Sequence, residues 1–198
     1  MDVNLEPQTR SDEMDGRRRR SQDSRARIVA ALLKLTRAGE LAPSAEQVAA
    51  RAGVGLRTVF RHFSDMESLY REMTDVIETE LRGVAARPFT GATWRERVME
   101  LAARRGEAFE VIGPFRRASD LRRHASLVLQ DDHVRLTATL RAILRREAPA
   151  DVIDASAFEA LDLLLSYEAW SRLRREQHLE ADEARRVLER AVRVLIGA

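Results

Sequence analysis

Residues 53–63 read GVGLRTVFRHF, and how this stretch is parsed decides the fold. A glycine pair precedes Val59, Phe60 and Phe63, which are set among Arg57, Thr58, Arg61 and His62. Read as a short helix beginning three residues after Gly53, it buries Val59 and Phe63, four apart, and turns Arg57, Thr58, Arg61 and His62 outward. Just upstream, Pro43 and Ser44 open another short helix, with Ser44 as N-cap and Gln47 completing a capping box. Val48, Ala49 and Ala52 form its inner face, small enough for the next helix to cross it closely. Two short helices joined by a glycine-containing turn make a helix-turn-helix.

Working outward, Ile28, Leu32 and Leu35 fall at helical spacing and predict a first helix from about Ser24 to Ala38, closed by Gly39. Asp65 caps a long fourth helix with Leu69, Tyr70, Met73, Val76, Ile77 and Leu81 on one side, ending between Gly83 and Pro88. Thr93 caps a fifth helix to about Ile112. Gly113-Pro114 breaks the pattern, and Pro114 opens a short helix to about His124. Ser126 to Glu147, Ala155 to Gln177 and Ala181 to Ile196 complete an all-α chain of about nine helices. Residues 1–20 lack an apolar period and end in Arg17, Arg18, Arg19 and Arg20, which reads as a disordered leader with a basic arm. The expected organisation is therefore leader 1–20, helix-turn-helix domain 21–70 and helical C-terminal domain 71–198.

Charge is distributed to match. The chain has 34 basic and 32 acidic residues, but residues 17–71 hold twelve basic against five acidic, so this segment carries the positive excess. A local basic field is the footprint of a polyanionic partner. On the outward face, Arg57 has the geometry to donate two hydrogen bonds to guanine, and Thr58 to meet a thymine methyl or a phosphate. Ser44 and the free N–H groups at its helix start suit a phosphate, and Gly55 permits close backbone approach.

Other function classes find little support. The 198 residues contain no Cys, which removes disulfides, thiolate metal sites and thiol nucleophiles. The four His, at 62, 124, 133 and 178, lack the spacing that places two ligands on one helical face. Asp131-Asp132-His133 reads as a solvated helix surface, since adjacent helical residues point apart. Gly53-Val54-Gly55 lacks the third glycine and the strand of a dinucleotide loop. No cofactor or metal is expected, and the chain does not read as an enzyme. The apolar runs are too short for a membrane span and no signal peptide precedes them, so a cytoplasmic protein without membrane contact is expected.

The last two helices are apolar over a wide arc. Phe158, Leu161 and Leu165 on one, with Val187, Leu188, Ala191, Val194 and Leu195 on the other, suit a four-helix bundle made with a second copy of the chain. A deeper core within one protomer is the alternative.

Residues 24–70, and in particular Ala49 to Phe63 with the pattern A-x-x-A-G-V-x-x-x-T-V-F-x-H-F, resemble the DNA-binding domain of the tetracycline-repressor (TetR) family. The resemblance implies a homodimeric repressor that binds double-stranded operator DNA and is released by a small-molecule effector, here unknown. By position it implies phosphate contact at Ser44, base or nearby backbone contact at Gly55, Leu56, Arg57 and Thr58, and proximity to phosphate at Phe60 and His62; Arg61 and the Arg17–Arg20 arm would add grip. It implies a ligand pocket between the fifth and eighth helices, where Trp94, Met99, Phe109, Phe115, Leu127, His133, Tyr167 and Trp170 are candidates. Two departures stand out. Phe60 replaces a common Tyr, losing a hydroxyl, and Met66 replaces a common Lys. They favour the competing reading of a dimeric helical ligand-binding or interaction protein without DNA function.

Overall fold

The computed structural model describes the backbone of residues 8–124 and 126–197, and the side chains of residues 16, 18–83, 85–124, 126, 127 and 129–197. Among the described residues there are α-helices and no strand: α1 Gln8–Arg37, α2 Ala45–Ala52, α3 Leu56–His62, α4 Met66–Ala85, α5 Trp94–Arg123, α6 Leu127–Glu147, α7 Ala155–Leu164, α8 Tyr167–Ser171 and α9 Ala181–Ile196. A π-helical turn, Arg172–Glu176, follows α8. The chain divides into two compact units, Met1–Thr74 and Asp75–Ala198.

In the first unit α1 packs on α2, and α2 on α3. Ile28, Leu32, Val48, Val59, Phe63, Leu69, Tyr70 and Met73 are buried. At eight and seven residues, α2 and α3 are shorter than the roughly 12–15 residues that an isolated helix needs in water. Burial of Val48, Val59 and Phe63, each worth about 1.5–3 kcal/mol, is what holds them in place. Local chemistry sets the ends of α2. The Ser44 hydroxyl accepts from the Gln47 N–H at 3.3 Å while the Gln47 carboxamide accepts from the Ser44 N–H at 2.7 Å. Gly53, at φ 64°, ends α2 in the left-handed conformation, with its N–H donated to Ala50 and the Val54 N–H to Ala49.

One junction fixes the far end of α3. The Arg25 guanidinium on α1 lies 4.4 Å from the centre of the Phe63 ring. Its Nη1 donates to the His62 carbonyl at 2.7 Å, and Nε and Nη2 together grip the Glu72 carboxylate on α4. A single side chain thus caps the C-terminal end of α3, where a cation is favoured, and ties it to two other helices.

Three expectations require correction. Residues 8–20 are helical, not a disordered arm: α1 extends upstream from its packed part, and lengthening an existing helix avoids the cost of nucleation. Residues 1–7 of the expected leader lie outside the described residues. Pro114 does not break the fifth helix, which runs continuously to Arg123. The packing of Gly113 and Phe115 outweighs the proline, and the Gly113 carbonyl accepts from the Tyr167 hydroxyl at 3.2 Å. Conversely, the expected helix from Ala155 to Gln177 is interrupted. Ser166 caps a new helix by accepting from the Ala169 N–H, which lets Tyr167 and Trp170 dock on α5.

In the second unit α5 packs against α6, α8 and α9, and α7 against α8 and α9. Trp170 lies directly over Gly106, where a Cβ would come within 3.1 Å of the indole. The indole N–H donates to Glu110 at 2.8 Å, and Glu110 also receives Arg174. Among the described residues no helix is long and apolar enough to cross a membrane.

Two outcomes follow from the turn and the junction. Gly53→Ala is expected to destabilise the fold by about 1 kcal/mol, because Ala must then take a left-handed φ, whereas Gly55→Ala, at φ −71° with open space where a Cβ would go, should leave the melting temperature unchanged. Thermal unfolding of the two variants checks this. Arg25→Met and Glu72→Gln should each lose about 1–2 kcal/mol, and the double variant less than their sum, because both remove the same ion pair. Additive losses in a double-mutant cycle would show that the pair is not coupled.

Candidate nucleic-acid interface

Helix α3 presents two chemically distinct faces. Val59 is buried inward, while Leu56, Arg57, Phe60 and Arg61 are exposed and Thr58 is half-buried. Among the described residues neither Arg57 nor Arg61 has an ion-pair partner, so their donors remain open to solvent. Gly55 starts the helix with an extended backbone, its carbonyl accepting from Thr58 at 2.8 Å. Its side of the helix start is bare: a Cβ there would meet no atom within 4 Å, so nothing inside the protein requires a glycine. Ser44 is exposed at the start of α2.

His62 departs from the expected outward face. It is half-buried, its Nε2 has no partner among the described residues, and its carbonyl is held by Arg25. Burial of the ring, then the Arg61 and Arg25 charges, hold its pKa below the usual imidazole value, so it is neutral at physiological pH. Its backbone is occupied in fixing α3. Phe60, by contrast, is 49% exposed beside Arg61, an apolar ring with no internal partner helix to cover it. At the start of α4, Asp65 accepts from the Ser68 N–H at 2.7 Å, and Met66 is half-buried. Arg18, Arg19 and Arg20 are exposed along α1, with Arg20 donating to the Gly16 carbonyl; the Arg17 side chain lies outside the described residues.

The second unit contains a cavity of about 350 Å³ walled by α4, α5 and α6. Of the expected pocket residues only Phe109 lines it. Tyr167 reaches a neighbouring crevice of about 30 Å³. Phe115 and Trp170 are spent on core packing, and Trp94 is stacked beneath Arg95. Met99 lines only a shallow depression, and Leu127 is 77% exposed. His133 pairs with Arg116 at 2.7 Å while Asp132 receives Arg135, so these neighbours are partnered separately rather than freely solvated. The walls come instead from Leu81, Leu101, Ile112, Leu136, Leu140 and Ile143, with Arg105 among them. Aromatic rings bury the most area of any side chain, so burial marks core packing at Phe115 and Trp170 as readily as a cavity wall at Phe109.

The expected dimer face is also divided. Phe158, Leu161, Leu165 and Leu188 are buried within the protomer and are not a surface. They satisfy the alternative of a deeper core, because α7 and α9 turn these residues toward one another. Val187 and Val194 are exposed, with Ala191 and Leu195 half-buried beside them, and Leu163 on α7 is exposed too.

Comparison with known proteins agrees with this geometry. Residues 28–73 match the model of the bacterial regulatory proteins of the tetR family. No curated protein sequence matches the chain significantly. Among solved structures, the chain is similar in fold to a TetR transcriptional regulator from Rhodococcus sp. RHA1, at 17% identity over 88% of this chain and 97% of that one, with a TM-score of 0.51. It is likewise similar to a putative TetR-family transcriptional regulator from Mesorhizobium loti MAFF303099, at 17% identity over 90% and 97% of the two chains, with a TM-score of 0.54. The matched residues 28–73 run from α1 into α4 and include the exposed basic helix α3, so this part of the chain is similar to the tetR-family regulatory segment, which supports a DNA-binding transcriptional regulator.

Proposed function

We propose that this regulator is a repressor that binds a palindromic operator as a homodimer and is released from it by a small molecule occupying the α4–α6 cavity. The observation that carries the DNA-reading part is the exposed α3 face, with Arg57 and Arg61 unpaired among the described residues and Gly55 bare beside them. In this reading Arg57 and Thr58 meet base edges in the major groove, while Ser44, Arg61 and the first N–H groups of α2 hold phosphate. Leu56 and Phe60 supply apolar contact at the groove wall. His62 acts indirectly, since its ring is half-buried and its carbonyl anchors α3.

Homodimerisation is supported by the exposed apolar residues Leu163, Val187 and Val194 on two helices that pack together. Val194 is 78% exposed, and a second copy would cover it with the same patch. A two-fold dimer requires a two-fold site, because each α3 meets an equivalent half-site. For release, the ligand must prefer the arrangement that does not hold DNA. The cavity gives it a place to bind, and α4 contributes residues to both units.

A mobility-shift assay with DNA flanking the protein's own gene is expected to give a complex of two protomers per site. Arg57→Ala should lose roughly 1–3 kcal/mol of specific binding and relax one operator position. An unchanged footprint and affinity would remove Arg57 as a base reader. Replacing Arg18, Arg19 and Arg20 with Gln should weaken binding across sequences and lower the salt slope by about 0.9 for each phosphate that is no longer neutralised. An unaltered slope would show that this helical extension stays clear of DNA.

A further inference from the structure

Helix α5 carries a charge where its periodicity calls for an apolar side chain. Val98, Leu101, Ala102, Phe109 and Ile112 are buried along one stripe, and Arg105 sits in the middle of it, only 3% exposed. Its Nη1 donates to the Leu165 carbonyl at 2.7 Å and its Nη2 to the Leu140 carbonyl, but its Nε is buried without an acceptor among the described residues. No carboxylate among them pairs with it. Asp162 attracts it at longer range but is itself held by Arg141 at 2.9 Å. Burial pulls the Arg105 guanidinium down to about 10, so it remains charged at neutral pH. Burying an ion without a counter-charge costs several kcal/mol, and such groups in proteins are generally paired.

Arg105 also lines the 350 Å³ cavity. The remaining charged groups on that wall are Arg82, Arg104, Arg135 and Glu78. Glu78 is engaged by Arg82 at 3.6 Å and Arg135 at 3.4 Å, Arg135 also pairs with Asp132 at 2.7 Å and Arg104 with Glu100 at 3.4 Å, so among the described residues Arg105 is the cation of this wall left without a carboxylate. The rest of the wall is aliphatic and aromatic, with Leu101, Phe109, Leu136 and Leu140 adjoining Arg105. A cationic ligand would add a second charge beside Arg105. A neutral one would leave Arg105 uncompensated.

The geometry points to an organic monocarboxylate as the occupant: an apolar body against the hydrophobic wall and a single carboxylate supplying the counter-charge that Arg105 lacks. This rests on the proposal that the cavity is the effector site, and it names the chemical class of that effector. A charge pair formed against a largely apolar wall is stronger than its counterpart in water, so the carboxylate contributes selectivity as well as affinity.

Calorimetric titration of the full chain with decanoate, decan-1-ol and decylamine separates the three possibilities with bodies of equal length. Decanoate is expected to bind at least about tenfold more tightly than decan-1-ol, which corresponds to about 1.4 kcal/mol, with decylamine weaker still. Arg105→Met, similar in length but uncharged, should abolish the difference while retaining decan-1-ol binding. Equal affinities, tighter binding of the amine, no binding by any of the three, or a preference that survives Arg105→Met would each overturn the proposal. If Arg105→Met does not fold, the three-way comparison in the native protein decides alone. Repeating the titration on the DNA complex keeps the two readings apart. Decanoate that binds without displacing DNA supports the anion site and removes its effector role. A neutral compound that displaces DNA from a protein with no affinity for decanoate upholds the effector site and overturns the carboxylate.

Discussion

Seven residues cannot hold a helix in water, so α3 depends on the burial of Val59 and Phe63 and on what grips its ends, and at its C-terminal end that grip is the Arg25 guanidinium. It stacks on Phe63, pairs with the Glu72 carboxylate and donates to the His62 carbonyl at the end of α3. Three helices meet at that one planar group. A lysine could supply the charge but neither the flat face over the ring nor the forked donors, so arginine is specifically suited to the position. The opposite end of α3 is set by backbone alone, through the left-handed Gly53 and the extended Gly55. Between them the exposed face is held rigid without using any of its own charged side chains, which leaves Arg57 and Arg61 open to bind.

The second unit solves a different problem. Its longer helices α5 and α6 pack on each other, and the interior beside them includes a cavity. The buried polar groups near it are mostly satisfied internally: Trp170 by Glu110 and Tyr167 by Gly113. Arg105 is the conspicuous exception, since among the described residues no carboxylate pairs with it. A protein that maintains an incompletely paired cation beside an apolar cavity carries a standing electrostatic cost, and an acceptor arriving from outside relieves it.

Much of the first unit was legible in its residues because its signals are local. The Ser44–Gln47 capping box, the glycine turn at Gly53 and the Asp65 cap each act within three or four residues and appear as expected. The outward placement of Arg57 and Arg61 followed from helical periodicity. The half-burial of the His62 ring did not, nor did the hold on its carbonyl by Arg25, thirty-seven residues away. In the second unit the apolar stripe of α5 was visible, and an arginine at its centre was the available signal for a buried cation. The aromatic residues around it gave a louder signal, but one that reports burial rather than a cavity wall.

By itself, then, the sequence determined an all-helical chain, a helix-turn-helix with a basic face and the ends of its short helices, since capping, glycine turns and periodicity are properties of neighbouring residues. Only the tertiary structure decided that α5 continues through Pro114, that Ser166 divides the following helix, and that Phe158, Leu161, Leu165 and Leu188 lie inside the protomer. It also decided which residues wall the cavity and that Arg105 lies among them. The physical reason is common to all of these: burial and charge compensation are settled by partners distant in the chain, and no local pattern records which helix will supply them.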